Sequence, residues 1–458
     1  MPHSTLMHKA ILTAVLSWGL SFTPAYAAKE LTFQEAVKTA LQNDAEYRAS
    51  QKIFEAEQEE TSIAKSRLLP QISLSANYSY EDSDNIYTDR DSGFYDPKQP
   101  RSNGELTDTA WQVSLNQPLL DYSATFSLDA ARASVEASSY RFRKAEQDLV
   151  YKTTELYLRV LYKAQLVYLN QNILDALSLK LEQSQRRSEL GVGDNLELLE
   201  VQARKDLAHT DLLQAKSELE DEQTKLSIIT GVQFTPPLAW VKNAHNIIPP
   251  KQVHTEEKIL ELARNNNDYQ ERLSKASQSS FTRKANNAEH YPTLYLGLRY
   301  SDRNSDDPLR ESETMSASLN LNVPIYSGGK TSASIRQSLA RFYAEQYMAE
   351  SILLDTQQKI SLAYAKKRNT NERLQALKHS AFSSERYLNA AERGVELNLR
   401  SQVDVLDART QMLDVQLRLA DALNQYLLAD LTLQYQVSEL TPEYTHFYDE
   451  LFKQTTAP

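Results

Sequence analysis

Residues 315–329 read MSASLNLNVPIYSGG, and this short stretch decides how the chain around it must fold. Apolar and polar side chains alternate strictly from Met315 to Val323, which is typical of a β-strand with one apolar and one polar face. Pro324 ends the run because proline has no amide hydrogen to give to a neighbouring strand. After Gly329 no proline or glycine occurs until Gly394, which favours one very long helix.

The same order of features occurs earlier in the chain. Alternating runs over 72–80 and 111–115 stop at Pro118, and residues 123–189 again lack proline and glycine. The sequence ELLE at 197–200 recurs as DVLD at 404–407. A period this long indicates duplicated domains rather than a solenoid of small repeats. We therefore predict a signal segment at 1–27, a first repeat at 28–235 with a hairpin at about 70–120, a linker at 236–253, a second repeat at 254–440 with a hairpin at about 291–327, and a tail at 441–458.

Shorter helices complete each half, and we expect pairs of them to lie end to end beside one long helix. A seam of mainly apolar residues repeats every 3.5 residues from Val403 to Leu431, which is the pattern of a coiled coil. The linker contains four prolines and could form a belt with the tail, or have no function of its own. The shorter helices are predicted at about 31–68, 195–230, 254–289 and 402–437.

The N-terminus has the pattern of a secretory signal. His8 and Lys9 precede an apolar run over residues 10–20, Pro24 breaks it, and the sequence AYA at 25–27 offers a cleavage site. The run is shorter than the ~18 apolar residues of a membrane-spanning helix. An uncleaved anchor or a buried helix is the alternative, and the pattern favours export.

Composition excludes several classes of function. The chain has no cysteine, so disulfides, thiolate metal sites and a lipidated cysteine are excluded. Its net charge of −11 argues against a nucleic-acid partner. No catalytic motif of the H-E-x-x-H, G-x-S-x-G or phosphate-loop kind occurs among its scattered histidines and glycines. We therefore expect no enzyme, no cofactor and no metal site.

The hairpins have the length and alternation of strands in a membrane barrel. Four strands cannot close a barrel, but three copies would supply twelve. The polar loops at about 81–108 and 301–313 fit the outside of a cell. An ordinary sandwich or a soluble tip that buries the apolar face on other protein is the alternative. In a barrel, lumen-facing residues would be Ser316, Ser318, Asn320 and Asn322, and the aromatic residues at the lipid–water boundary would be Tyr78, Tyr80, Trp111, Tyr122, Tyr300 and Tyr326.

Three stretches resemble the TolC family of outer-membrane efflux and secretion channels. LLPQ at 68–71 resembles the entry to the family's first strand, VPIYSGG at 323–329 resembles its strand-to-helix exit, and GVELNLRSQVDVLDA at 394–408 resembles its periplasmic turn. The likeness runs in the correct order from Leu31 to about Leu440. The absence of a lipidated cysteine places the chain nearer the non-acylated exit ducts.

The resemblance implies a mainly α fold with a small β part that assembles as a homotrimer. Its outer-membrane portion would be a 12-stranded β-barrel in lipid, continued by a 12-helix α-barrel in the periplasm. Such a duct is passive and has no catalytic site. It docks onto a periplasmic adaptor (membrane fusion) protein and an inner-membrane ABC, RND or MFS transporter. A soluble periplasmic coiled-coil scaffold or adaptor is the alternative from a different class.

The resemblance also implies a gate at the turn between the long helix and the helix after it. Arg400 aligns with the family's gating arginine, and Asp404 and Asp407 align with its acidic rings. Trimerised, the two aspartates would place six carboxylates around the mouth, which favours cations. Glu197 occupies the repeat position of Asp404 and is the expected partner of Arg400. The alternative is that the two aspartates are ordinary solvent-exposed charges on a helix, with no role in a gate.

Two positions depart from the family pattern at this turn. Asn398 stands where the family commonly has glycine, although Gly191 keeps the glycine in the first half. Val395 stands where a gating tyrosine occurs in some members, so that hydrogen bond cannot form here.

Overall fold

The computed structural model describes most of the chain beyond the predicted signal segment. The signal segment and Asn398 lie outside the described residues. Those residues are 30–83, 90–91, 93–94, 98, 104–191, 195–248, 256–307, 310–397 and 399–453.

Within that part of the chain, helices predominate and four strands form a single small sheet. The mainly α fold with a small β part is therefore confirmed. The helices are α1 (Phe33–Asn43), α2 (Ala45–Ser66), α3 (Tyr122–Glu189), α4 (Asn195–Thr230), α5 (Leu238–Asn243), α6 (Glu256–Glu261), α7 (Asn267–Ala288), α8 (Lys330–Glu396), α9 (Gln402–Gln436) and α10 (Thr445–Lys453), with 3₁₀ turns at Ala244–Asn246 and Leu262–Asn265. The strands are β1 (Gln71–Ser83), β2 (Gly104–Leu120), β3 (Thr293–Ser305) and β4 (Ser312–Asn322).

Two helices, α3 and α8, set the length of the molecule. They contain 68 and 67 residues, so each extends roughly 100 Å at 1.5 Å per residue. Asp121 begins α3 by accepting a 2.8 Å hydrogen bond from the amide of Ala124. Gly329 precedes α8 with a φ of 81°, a conformation that a glycine adopts without strain. Helix α3 packs against α2 and α4, and α8 packs against α7 and α9, as the sequence predicts.

The short helices break at two places where one helix was predicted. The predicted helix at 31–68 is divided at Asp44, whose backbone is extended and whose Oδ1 accepts a 2.8 Å hydrogen bond from the amide of Tyr47. The predicted helix at 254–289 is divided at Asn266, which begins α7 in the same way. Both side chains favour helix N-caps over helix interiors, and this preference overrides the continuous pattern.

The sheet has the order β1-β2-β3-β4, with every neighbouring pair antiparallel. The register places Leu74, Val113 and Tyr300 in one transverse row, and the row through Ser73 is polar throughout. Alternation therefore sorts the four strands into one apolar and one polar face. The predicted residues Ser316, Ser318, Asn320 and Asn322 all lie on the polar face.

The two prolines that were predicted to end strands behave differently. Strand β4 ends at Asn322, just before Pro324, as predicted. Pro118 instead lies within β2 opposite Tyr295, and the register shifts between Pro118 and Leu120. A bulge accommodates the missing amide donor, so the strand continues two residues further than predicted.

The main hydrophobic core joins the linker and the tail to the helices. Phe33 of α1 is fully buried against Tyr157 of α3 and Tyr448 of α10. Trp240 of α5 stacks on Phe452 of α10 at a centroid distance of 5.2 Å. Helix α5 of the linker and helix α10 of the tail thus pack into the same aromatic core.

No helix in the described part of the chain combines the length and apolar character needed to cross a membrane.

Candidate gate and candidate membrane surface

The turn between α8 and α9 is compact at Gly394. Its carbonyl accepts hydrogen bonds from the amides of Leu399 (2.8 Å) and Arg400 (3.1 Å). A Cβ added at Gly394 would lie 2.7 Å from Cγ of Arg400. The glycine is therefore needed for Arg400 to lie against the end of α8.

Asp404 caps the helix that follows this turn. Its Oδ2 accepts hydrogen bonds from the amide (2.8 Å) and hydroxyl (3.0 Å) of Ser401, and the amide of Asp404 donates to Oγ of Ser401 at 3.2 Å. These hydrogen bonds lower the pKa of Asp404, with a smaller contribution from the charges of Arg400 and Lys180. Asp404 is thus ionised and held in place at the tip.

Asp407 forms an ion pair with Lys180, a residue that the sequence analysis did not select. The lysine Nζ donates to Oδ1 of the aspartate, and the lysine side chain is 8% exposed while that of Asp407 is 54% exposed. We name this contact the α3–α9 latch, because it joins the helical hairpin α3–α4 to the hairpin α8–α9. Lys180 continues the buried stripe of Ile173, Ala176 and Leu177, and a charge in an apolar seam is the signal that could have found it.

Glu197 is engaged within its own hairpin. Its carboxylate lies 3.7 Å from Arg187, near the end of α3, and its Oε1 is buried without a hydrogen-bond partner. Arg400 forms no ion pair within the part of the chain that the structure describes. The expected contact between Glu197 and Arg400 is therefore not formed inside one chain, because the first turn of α4 lies beside Arg187. A contact between Glu197 of one copy and Arg400 of another copy remains a prediction.

Both tips expose leucine side chains to solvent. Their exposed fractions are between 66% and 78%, although leucine is usually found buried. A concentration of apolar side chains at the ends of two hairpins is typical of a surface that contacts another protein. These residues are Leu190, Leu196, Leu199, Leu397 and Leu399.

The apolar face of the sheet is not covered by the rest of the chain. Ile72 and Leu74 of β1 are 70% and 71% exposed, and Met315 of β4 is 83% exposed. A soluble hairpin that buried this face on its own helices would hide these side chains. That arrangement is excluded within one chain, and a contiguous apolar surface of this kind marks contact with lipid or another molecule.

The six predicted boundary aromatics lie at the two ends of this face. Tyr78, Tyr80, Trp111 and Tyr300 are near the loop end, where Trp111 contacts Tyr300 at a centroid distance of 5.2 Å. At the helix end, Tyr326 is 86% exposed and Tyr122 is 46% exposed. Aliphatic rows lie between the two groups, an arrangement typical of a surface with two lipid–water boundaries.

Comparison with known proteins decides the family. The model of the outer membrane efflux protein family matches residues 36–232 and 260–436, one segment in each half. The chain belongs to this family. It is 26% identical over 427 residues to the outer membrane protein TolC of Salmonella enteritidis, covering 90% of this chain and 81% of that protein. It is 27% identical over 448 residues to the protease secretion protein PrtF of Dickeya chrysanthemi, covering 92% and 90%.

Solved structures show the same fold. A structure of CusC superimposes with a TM-score of 0.72 at 14% identity, covering 90% of this chain and 95% of that one. The open state of the MtrE outer membrane channel of Neisseria gonorrhoeae superimposes with a TM-score of 0.70 at 16% identity, covering 90% of each chain. The efflux protein is thus an exit duct in the outer membrane of a Gram-negative cell, with its helical part in the periplasm.

Proposed function

We propose that three copies of this efflux protein close a twelve-stranded barrel in the outer membrane and continue as a helical tunnel whose tip opens for a periplasmic adaptor and an inner-membrane transporter. The observation that carries the proposal is the exposed apolar face of the four-stranded sheet. Its aliphatic rows extend over nine residues in β4 and its exit, Met315 to Val323, or roughly 30 Å along the strand at ~3.3 Å per residue. At a strand tilt of about 40° the height is roughly 23 Å, close to the apolar band of about 25 Å that outer-membrane barrels carry.

The two edges of the sheet support closure between copies. Strand β1 pairs only with β2, and β4 pairs only with β3, so both edges carry unpaired amides and carbonyls among the described strands. Unpaired backbone groups in lipid are costly, and pairing β1 of one copy with β4 of the next satisfies them. Three such junctions close the barrel with an even number of strands.

The helices support the same assembly. Tyr343, Tyr347 and Leu354 form an exposed stripe on α8, with exposed fractions of 49%, 68% and 60%. Their spacing of four and seven residues places them on one face of the helix. A neighbouring copy that covers this stripe would complete a ring of helices around a tunnel.

The tip supplies a gate and a docking surface. The α3–α9 latch holds the two hairpins of one chain together, and releasing it frees the α8–α9 hairpin to move outward. The exposed leucines at both tips offer an apolar surface for a helical hairpin of the adaptor. An ABC, RND or MFS transporter in the inner membrane would supply the energy, because the duct binds no energy-rich ligand of its own in this proposal.

Disulfide trapping tests the assembly, since the natural chain has no cysteine to interfere. Cysteine at Ser75 of β1 would be combined in turn with cysteine at Ser316, Ser318 or Asn320 of β4. Covalent trimers on a denaturing gel are expected for one of these pairs, because all four residues lie on the polar face. Leu74→Cys with the same partners is the matched control, since its side chain points to the other face. A detergent-free monomer that never forms a trimer would favour the scaffold instead.

A further inference from the structure

The polar face of the sheet has an uneven charge that the fold does not require. Serine, threonine, asparagine and glutamine side chains make up most of it. From the row of Gln71 to the row of Asn77, the charged side chains on this face of the described strands are Arg299 and Arg303 of β3. The register places Arg299 in one row with Ser73, Ser114 and Ser316.

Neither arginine is used to hold the sheet together. Both side chains are exposed, and neither forms an ion pair or a side-chain hydrogen bond with another described residue. Arg310 in the loop behaves differently, because it pairs with Glu81 at 2.8 Å and Asp108 at 3.5 Å. Both guanidinium groups are therefore exposed on the polar face without a hydrogen-bonded partner among the described residues.

Carboxylates bound this pair of arginines at both ends of the face. Asp121 accepts a 3.1 Å hydrogen bond from Tyr295 at the helix end, and Asp108 lies one row beyond Arg303 at the loop end. Along β3, Arg299 lies four residues, or about 13 Å at ~3.3 Å per residue, from Tyr295 on one side and from Arg303 on the other. Neutral side chains thus separate Arg299 from the carboxylates, whereas Arg303 adjoins Asp108, whose Oδ2 lies 3.5 Å from Arg310.

We propose that Arg299 and Arg303 form a positive band in the lumen that attracts multivalent anions and favours anionic cargo in the outer part of the duct. The inference rests on the proposed trimeric barrel, in which three copies would present six guanidinium groups. Guanidinium groups stay charged at any physiological pH and bind phosphate and carboxylate oxygens well. The band would oppose the acidic residues at the tip, so the two ends of the duct would act on opposite charges.

Block of the channel by inorganic tripolyphosphate tests the band. Purified wild-type trimers in a planar bilayer would be compared with Arg299→Gln/Arg303→Gln, with the probe added to each chamber in turn at low salt. Low salt matters because charges are screened beyond about 10 Å at 0.1 M but only beyond about 30 Å at 0.01 M. We expect the double glutamine variant to need about threefold to tenfold more probe for half block, the low end of known field-focusing effects.

Two further variants separate charge from shape. Arg299→Lys/Arg303→Lys keeps the charge and should keep the block, and Ser301→Gln adds bulk between the arginines without charge and should leave it unchanged. Equal block in wild type and the glutamine variant would overturn the band, as would loss of block in the lysine variant. If the wild-type protein forms no trimeric channel, the proposed function itself is contradicted, and this result is seen before any variant is compared.

Discussion

Replacing Lys180 with methionine tests the α3–α9 latch. The substitution removes the charge that pairs with Asp407 and keeps the buried stem of the side chain, so packing in the α3 seam changes little. Asp407 is 54% exposed and is rehydrated when the lysine is lost. The pair is therefore worth about 1 kcal/mol per chain, the upper end of the range for ion pairs that remain in contact with water.

In the proposed trimer, three copies multiply this effect. If the three latches release together, the closed state loses about 3 kcal/mol, which is roughly a hundredfold change in the ratio of closed to open channels. If each hairpin moves independently, the change is about fivefold per chain. Either value is measurable as the open probability of single channels in a planar bilayer.

A matched control is available in the same helix. Lys163 of α3 pairs with Glu218 of α4 at 2.6 Å, and its side chain is 24% exposed. Lys163→Met thus breaks an ion pair inside one hairpin and should leave the open probability unchanged. Exchanging the charges, with Lys180→Glu and Asp407→Lys together, should restore part of the closure. Equal open probabilities in wild type and both methionine variants would refute the latch.

Three further predictions concern the tip and the core. Gly394→Ala should push Arg400 aside because the new Cβ would lie 2.7 Å from its Cγ, so thermal stability should fall, and the double variant with Arg400→Ala should regain part of the loss, since the Cβ of residue 400 at 3.2 Å remains. The pKa of Asp404 is lowered in the folded protein, so its stabilising effect is present above the ordinary value of 3.8 and is lost as pH falls below it; the free energy of unfolding, measured from pH 7 to pH 2.5, should fall less in Asp404→Asn than in wild type. Asp430→Asn should destabilise the core by about 3 kcal/mol in denaturant unfolding, since it leaves Lys367, whose side chain is only 13% exposed, without its 2.6 Å charged partner, and an effect below about 1 kcal/mol would contradict this.

The strands and long helices could be predicted because each depends on a local pattern. Period-two alternation in 72–80 and 315–323 sorts side chains onto two faces whatever the rest of the chain does. Residues 123–189 contain no proline or glycine, so no helix-breaking residue interrupts a helix in this range. The family resemblance, carried by residues 394–408 and two shorter stretches, implies the proposed assembly, which cannot be seen in a single chain.

What the sequence did not reveal depends on contacts between distant residues. Asp44 and Asn266 could be helix-interior residues or caps, and packing against α3 decides between these roles. Pro118 could end a strand or sit in a bulge, depending on its neighbour in β3. Lys180 and Asp407 are more than two hundred residues apart in sequence, so only the packing of α3 on α9 brings them together.

These contacts change the net charge expected at the predicted acidic mouth. In the structure, Lys180 neutralises Asp407, and Arg400 lies close enough to Asp404 to lower its pKa. Two cations thus balance two carboxylates in each chain while the latch is formed, and the closed tip should show little charge selectivity. Lys180→Met removes one of those cations and frees Asp407, so the reversal potential in a salt gradient should shift toward cation selectivity as the open probability rises. The control Lys163→Met should shift neither quantity, and an open Lys180→Met channel without cation selectivity would show that Asp407 does not face the pore.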